Sequence, residues 1–180
     1  MPDVIVSATT AEDYAAFAAM IREYVDWCRE RYADDSWFID AAFGHQSLEL
    51  ELRALPAAYG PPKGKILLAK SDDEAIGCIA YRRLSDTICE MKRLYVRVGG
   101  QGRGLGRRLS TALIDAARED GFELMRLDTA KLLTEAIALY SSLGFRDCRP
   151  YNEYPDRLMP YIVFMDLPLG STSAKVRTRA

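Results

Sequence analysis

The chain has 180 residues, enough for one compact domain with a sizeable core. Lys and Arg number 24 against 26 Asp and Glu, a formal charge of −2 at pH 7, which argues against a general nucleic-acid binder and its basic excess. One histidine and four scattered cysteines leave zinc catalysis and Ser-His-Asp chemistry almost nothing to work with, and no apolar run is long enough to cross a bilayer. Met1-Pro2-Asp3 does not open a signal peptide, so Cys28, Cys78, Cys89 and Cys148 are expected to stay reduced as small core residues in the cytoplasm.

In chain order, 4–6 is a short β-branched strand. Thr9-x-x-Glu12 has the form of a capping box, opening a helix with the apolar stripe Tyr14, Phe17, Ile21, Val25 and Cys28. That helix is expected to end near Tyr32. The polar and aromatic run over 33–44 reads as a loop, and a second helix over 46–55 is closed by Pro56. A turn at Tyr59-Gly60-Pro61-Pro62 leads to a strand over 65–70. A hairpin loop at 71–74 follows, then strands over 75–84 and 88–98.

The last of these strands runs into a glycine-rich turn over 99–106. Directly afterwards Leu105, Leu109, Ala112, Leu113 and Ala116 recur at helical spacing. A strand that ends in such a turn and feeds a helix N-terminus is a place to bind an anion. First-turn N–H groups have no partner inside the helix, and the peptide dipoles put partial positive charge there. Arg103, Arg107 and Arg108 add full charge, and phosphate is the obvious guest. The turn matches neither a Walker A loop, which needs Gly-Lys-Ser/Thr at its end, nor the spacing G-x-G-x-x-G of a dinucleotide fingerprint.

Further on, 124–129 reads as a buried strand. Residues 134–143 form a helix by Ala136, Ile137, Leu139, Tyr140 and Leu143, which Gly144 stops. Strands over 145–149 and 161–167 flank a Pro- and Tyr-rich loop, and the small, polar, basic residues 170–180 are expected to be a disordered tail. The order predicts one domain over 1–169, a mixed sheet with helices on both faces, α/β with α+β character.

Gln101, Gly104 and Gly106 stand in the pattern Q-x-x-G-x-G. Ala136, Tyr140, Gly144 and Phe145 follow in A-x-x-x-Y-x-x-x-G-F, one helix and one strand later. The pair resembles the pyrophosphate loop and the fourth-helix signature of the GNAT superfamily of acetyl-CoA-dependent N-acetyltransferases. The resemblance implies a mostly antiparallel sheet of about seven strands, splayed between the fourth and fifth at a bulge. The pantetheine arm of acetyl-CoA would lie in that gap against the backbone of Leu94, Tyr95 and Val96. The amides of Gln101, Gly102, Arg103, Gly104, Leu105, Gly106 and Arg107 would cradle the pyrophosphate.

Tyr140 would then face the sulfur as general acid, and backbone N–H near Leu94 would meet the oxyanion. Alternation puts Glu90 on the strand face of Leu94 and Val96, where apolar neighbours would raise its pKa and suit it to act as base. Each has a plainer reading: Tyr140 as a core aromatic, Glu90 paired with Lys92 or Arg82, Arg103 and Arg107 as solvated charges, His45 as a satisfied surface or core residue. Two familiar contacts of the family are missing, since Leu133 stands where Asn often bonds the pantetheine and Val98 where Pro is common.

The expected activity is transfer of acetyl from acetyl-CoA to a primary amine of a small molecule by direct attack, with no metal. The alternatives are a protein or peptide N-acetyltransferase and a non-catalytic acyl-CoA-binding module, with a nucleotide-binding Rossmann protein more distant. Acceptor-site segments are sought at 27–40, 82–90 and 151–157, whose acidic, aromatic and Arg residues suit either a cationic amine or an amino acid. No nucleic-acid or membrane partner is expected, and the chain is taken as a monomer or homodimer.

Overall fold

A computed structural model describes residues 3–170; the expected tail, apart from Gly170, lies outside the described residues. Seven strands form one sheet in the order β1-β2-β3-β4-β5-β7-β6: β1 (Val4–Ser7), β2 (Gly64–Ser71), β3 (Glu74–Arg83), β4 (Ile88–Val96), β5 (Leu124–Ala130), β6 (Arg146–Asp147) and β7 (Ile162–Pro168). Every pairing is antiparallel except β4 with β5. Helices α1 (Ala11–Arg31), α2 (Ser36–His45), α3 (Leu48–Arg53), α4 (Leu55–Tyr59), α5 (Leu105–Glu119) and α6 (Thr134–Ser142) complete the chain.

Two cores cover the two faces of the sheet. Leu105, Leu109, Leu113 and Ala117 of α5 pack on Ile79, Cys89, Met91 and Met125, with Tyr140 of α6 in the same cluster. Phe17, Ile21 and Val25 of α1 pack with Leu52, Leu55 and Tyr59 on Ile66, Leu68, Cys78 and Ala80 of the other face. The mixed sheet with helices on both faces is the architecture that the order of predicted elements implied.

Several local expectations are corrected. The capping box of α1 uses Thr10 and Asp13, not Thr9 and Glu12: Asp13 N–H donates to Thr10 Oγ1 at 3.2 Å, and Thr10 N–H to Asp13 Oδ2 at 3.2 Å. Lys70 Nζ also donates to Asp13, at 2.8 Å, and that second anchor favours a carboxylate one residue further on. The run over 33–44 is not a loop. It is a 3-10 turn at Ala33–Asp35 and helix α2, whose Phe38, Ile39 and Ala42 bury against Cys28 and Leu158. Pro56 does not close the second helix but sits in the first turn of α4, where its missing N–H costs nothing. The strand expected over 145–149 shrinks to the two residues of β6.

Candidate active site

The parallel pairing of β4 with β5 is brief. Ile88, Cys89 and Glu90 face Leu124, Met125 and Arg126, and no pair follows although both strands continue, to Val96 and Ala130. The strands diverge beyond Glu90, as the resemblance implied, and a cavity of about 580 Å³ opens between them.

A bulge in β4 shapes this gap. Ala80 faces Lys92 and Cys78 faces Tyr95, so Ile79 alone opposes both Arg93 and Leu94. Arg93 takes φ +63°, the left-handed region that a side chain disfavours. Two features hold it there. Its guanidinium donates to both Glu51 oxygens, at 2.9 and 3.0 Å, and to Gln46 Oε1 at 2.9 Å. Glu51 also accepts from Tyr59 Oη at 2.8 Å.

The extra residue reverses the alternation. Glu90, Lys92 and Tyr95 share one face of the sheet, while Leu94 and Val96 pack on the other with the α5 core. The expectation that Glu90 shares a face with Leu94 and Val96 is therefore wrong, because simple alternation cannot anticipate a two-for-one bulge.

At the other end of the cavity the loop meets α5. Gly104 is the N-cap, at φ +73°, and no side chain caps the helix. The first intrahelical bond from this end is Arg108 N–H to Gly104 carbonyl, so the N–H groups of Leu105, Gly106 and Arg107 have no helical partner. A Cβ at Gly102 or Gly104 would meet nothing within 4 Å, so the space in front of these amides is open. Gln101 Nε2 donates to the Val96 carbonyl at 3.0 Å and ties the loop to the end of its strand.

Leu94, Tyr95, Val96, Gln101, Gly102, Gly104, Leu105, Gly106, Arg107 and Tyr140 all line the one cavity. Arg103 and Glu90 do not. Arg103 instead forms an ion pair with Asp3 at 3.1 Å.

Tyr140 projects from α6 into the cavity, and its ring meets Phe145 edge-on at 5.9 Å. No hydrogen bond engages its hydroxyl among the described residues. Burial, with Asp128 nearby, raises the phenol pKa above its usual value.

Glu90 is fully buried and heavily partnered. It accepts from Arg82 Nε at 2.6 Å, Tyr151 Oη at 3.1 Å and Asn152 Nδ2 at 2.7 Å. Burial opposes its charge, but the Lys92 and Arg82 cations and these hydrogen bonds outweigh it and hold the carboxyl below the usual range. The expected apolar surroundings and raised pKa are not there. The plainer pairing with Arg82 and Lys92 is what forms.

Two residues not singled out from the sequence, Asp128 and Asn152, build this end of the site. Asp128 of β5 lines the cavity, with Oδ2 accepting from Asn152 Nδ2 at 2.7 Å and Tyr154 Oη at 3.1 Å. Asn152 thus bridges Asp128 to Glu90. Lys92 Nζ stands 4.0 Å from Asp128 Oδ1. One signal was legible: Arg126 and Asp128 are polar at spacing two in an otherwise apolar strand. The roof is α2 with the segment after Cys148, joined by Gln46 Nε2 to Tyr154 Oη at 3.2 Å and by His45 Nε2 with the Glu153 carbonyl at 2.9 Å.

Residues 18–145 match the family model described as acetyltransferase (GNAT) family. An uncharacterized N-acetyltransferase of Schizosaccharomyces pombe is 33% identical over 161 residues, covering 88% of this chain and 90% of that protein. Among solved structures, an acetyltransferase from Streptococcus agalactiae superposes with TM-score 0.72 at 18% identity, over 92% of this chain and 98% of its own. The PaiA N-acetyltransferase of Thermoplasma acidophilum, solved in complex with coenzyme A, superposes with TM-score 0.67 at 17% identity, over 93% and 99%. With a family model spanning most of its length and a relative of one-third identity over nearly all of it, this chain belongs to the GNAT family of acetyltransferases.

Proposed function

We propose that this chain moves an acetyl group from acetyl-CoA to the primary amine of a small molecule, by direct attack within a ternary complex. The observation that carries this reading is the single cavity that joins the uncapped N-terminus of α5, the gap between β4 and β5, and the Tyr140 hydroxyl. Free amides at a helix N-terminus suit a pyrophosphate, and Arg107 at the same mouth adds charge. The unpaired edges of β4 and β5 offer main-chain donors and acceptors to an amide-bearing arm.

The chemistry is divided between two side chains. Asp128 accepts a proton from the attacking amine, and Tyr140 gives one to the departing thiolate. The proton then returns from the Asp128 carboxyl to the phenolate, so the net transfer is from nitrogen to sulfur. Backbone N–H groups at the Arg93 bulge meet the oxygen on which negative charge develops. Glu90 holds Asn152, and through it Asp128, rather than meeting the amine itself. A small acceptor is favoured over a protein tail because α2 and the segment carrying Glu153 and Tyr154, tied to each other, wall the cavity on this side.

The test is release of free CoA thiol with a panel of amines. The expected result is amine-dependent release that Tyr140→Phe suppresses, with CoA binding retained in calorimetry. Tight CoA binding without release for any amine would leave an acyl-CoA-binding module instead.

A further inference from the structure

Lys92 is buried, its side chain only 6% exposed, and its ammonium lines the cavity. Burial of an ammonium is costly unless its donors are satisfied. Yet Nζ makes no hydrogen bond among the described residues. Glu90 Oε2, 3.6 Å away, is already engaged by Arg82 Nε at 2.6 Å. Asp128 Oδ1 is 4.0 Å away, and it accepts no hydrogen bond either, since Asn152 and Tyr154 both donate to Oδ2. An ammonium and a carboxylate oxygen thus stand side by side on residues that line one cavity, each without a hydrogen bond among the described residues. Their separation is too long for a bond and right for a bridging group.

The complement of such a pair is a group with N–H donors beside a negative oxygen. Resting on the acetyl-transfer reading above, we propose that the acceptor is an α-amino carboxylate, its amine on Asp128 Oδ1 and its carboxylate on Lys92 Nζ. Of the other cations that line the cavity, Arg107 stands at the α5 mouth with only the Ser142 hydroxyl as partner among the described residues and is taken by the diphosphate in that reading. Arg93 is forked on Glu51, and Arg31 is paired with Glu135, which leaves Lys92 as the anion donor. The side chain of the acceptor faces the α1–α2 wall, where Trp27, Phe38, Ile39 and Phe43 line the same cavity, so an apolar or aromatic group fits.

In the reaction the amine nitrogen bonds to the thioester carbon and the carbon–sulfur bond breaks. One proton passes from nitrogen to sulfur by way of Asp128 and Tyr140, and the products are an N-acetyl amino acid and CoA thiol. The carboxylate takes no part in the bond changes. It fixes the amine in line for attack, which is where binding energy raises the rate.

The experiment compares three acceptors that share one side chain: a free amino acid such as phenylalanine, its carboxamide, and the amine lacking the carboxyl group. With the wild-type chain, kcat/KM for the free acid is expected to exceed the other two by at least about 100-fold, because neither analogue offers the Lys92 ammonium a carboxylate to bond. In Lys92→Met that preference is expected to collapse to within a few-fold, while calorimetric CoA binding is retained. Equal turnover of the three by the wild type, or preference for the carboxamide, overturns the proposal even if Lys92→Met fails to fold; preference for the carboxamide points to a peptide amino terminus. Turnover of none of them or of any other amine removes the acetyl-transfer reading, and turnover of other amines alone removes only this one.

Discussion

Arg93, at φ +63° in the middle of a strand, is held by a two-point fork on Glu51 of α3. The fork stabilises a backbone conformation that costs a side-chain-bearing residue about 1–2 kcal/mol. Burial opposes the Glu51 charge, but the Arg93 guanidinium and the Tyr59 hydroxyl outweigh it and hold the carboxyl below its usual pKa. Helix α3 thereby sets the register of the strand that borders the cavity.

Arg93→Ala removes the fork and keeps a Cβ at positive φ, so β4 gains by relaxing toward regular extended backbone, with Leu94 to Val96 displaced. Arg93→Gly removes the fork but tolerates the bulge. Both are expected to lose about 3–5 kcal/mol of stability, because Glu51 is left buried without its partner. Only the alanine variant is expected to lose most of its affinity for CoA as well, read by calorimetry. Equal affinity in the two variants would show that the bulge does not depend on the residue type at 93.

The glycine loop separates binding from folding. Gly104 has φ +73°, and a Cβ there meets no atom within 4 Å. Gly104→Ala is thus strained by its backbone alone and is expected to cost about 1–2 kcal/mol. Gly106 is helical, and a Cβ there makes ordinary contact with Leu139 Cδ2 at 3.6 Å. Gly106→Ala should stabilise the chain by up to about 1 kcal/mol through helix propensity. It also puts a methyl group at the mouth of the amide cradle. The expected outcome is a higher Tm with a weaker CoA Kd; a higher Tm with unchanged Kd would place the diphosphate elsewhere.

The succession of elements along the chain was readable because it rests on local signals, and the gap between β4 and β5 because two motifs carry a family resemblance. Alternation, helical spacing, glycine chemistry and two motifs fix β2 to β5, α5 and α6 without long-range information. The strand face of Glu90 was not readable. It turns on where the bulge falls: the family resemblance implied a bulge in this strand but not its place at Arg93, whose partner Glu51 is far away in sequence. Helix α2 was hidden for a related reason. Its residues are polar and aromatic by turns, and only the neighbours that bury Phe38 and Ile39 make it a helix. Asp128 left a faint trace as a polar position in an apolar strand. Its tie to Glu90 runs through Asn152, from a loop that sequence places only loosely.

Tyr140 yields a pH test. Burial raises its phenol pKa, so the acid form persists well above neutral pH and the rate has no alkaline fall from this group in the accessible range. The acceptor amine loses its proton as pH rises, toward about 10 for an ordinary alkylamine. Then kcat/KM should climb with pH and level off, without a bell shape. Tyr140→Phe should keep the fold, since no hydrogen bond is lost, and lower kcat by about 10²–10⁴. A wild-type profile that drops above pH 8 would argue against a buried phenol as the proton donor.

The two buried carboxylates should fail in different ways when neutralised. Glu90 balances Arg82 and Lys92 from a position that does not line the cavity. Glu90→Gln keeps the shape but leaves both cations short of an anion, so its expected loss is stability, about 1–3 kcal/mol, with kcat within a few-fold of wild type. Asp128 faces the cavity with Oδ1 unengaged. Asp128→Asn retains an oxygen to accept from Asn152 and Tyr154 but cannot take a proton from an amine. Its expected loss is in kcat, about 10²–10⁴, with Tm little changed. Thermal melts and steady-state rates on the two variants decide between the carboxylates. A kcat collapse in Glu90→Gln, with Asp128→Asn active, would return the base to Glu90 acting through water and assign Asp128 to holding the loop.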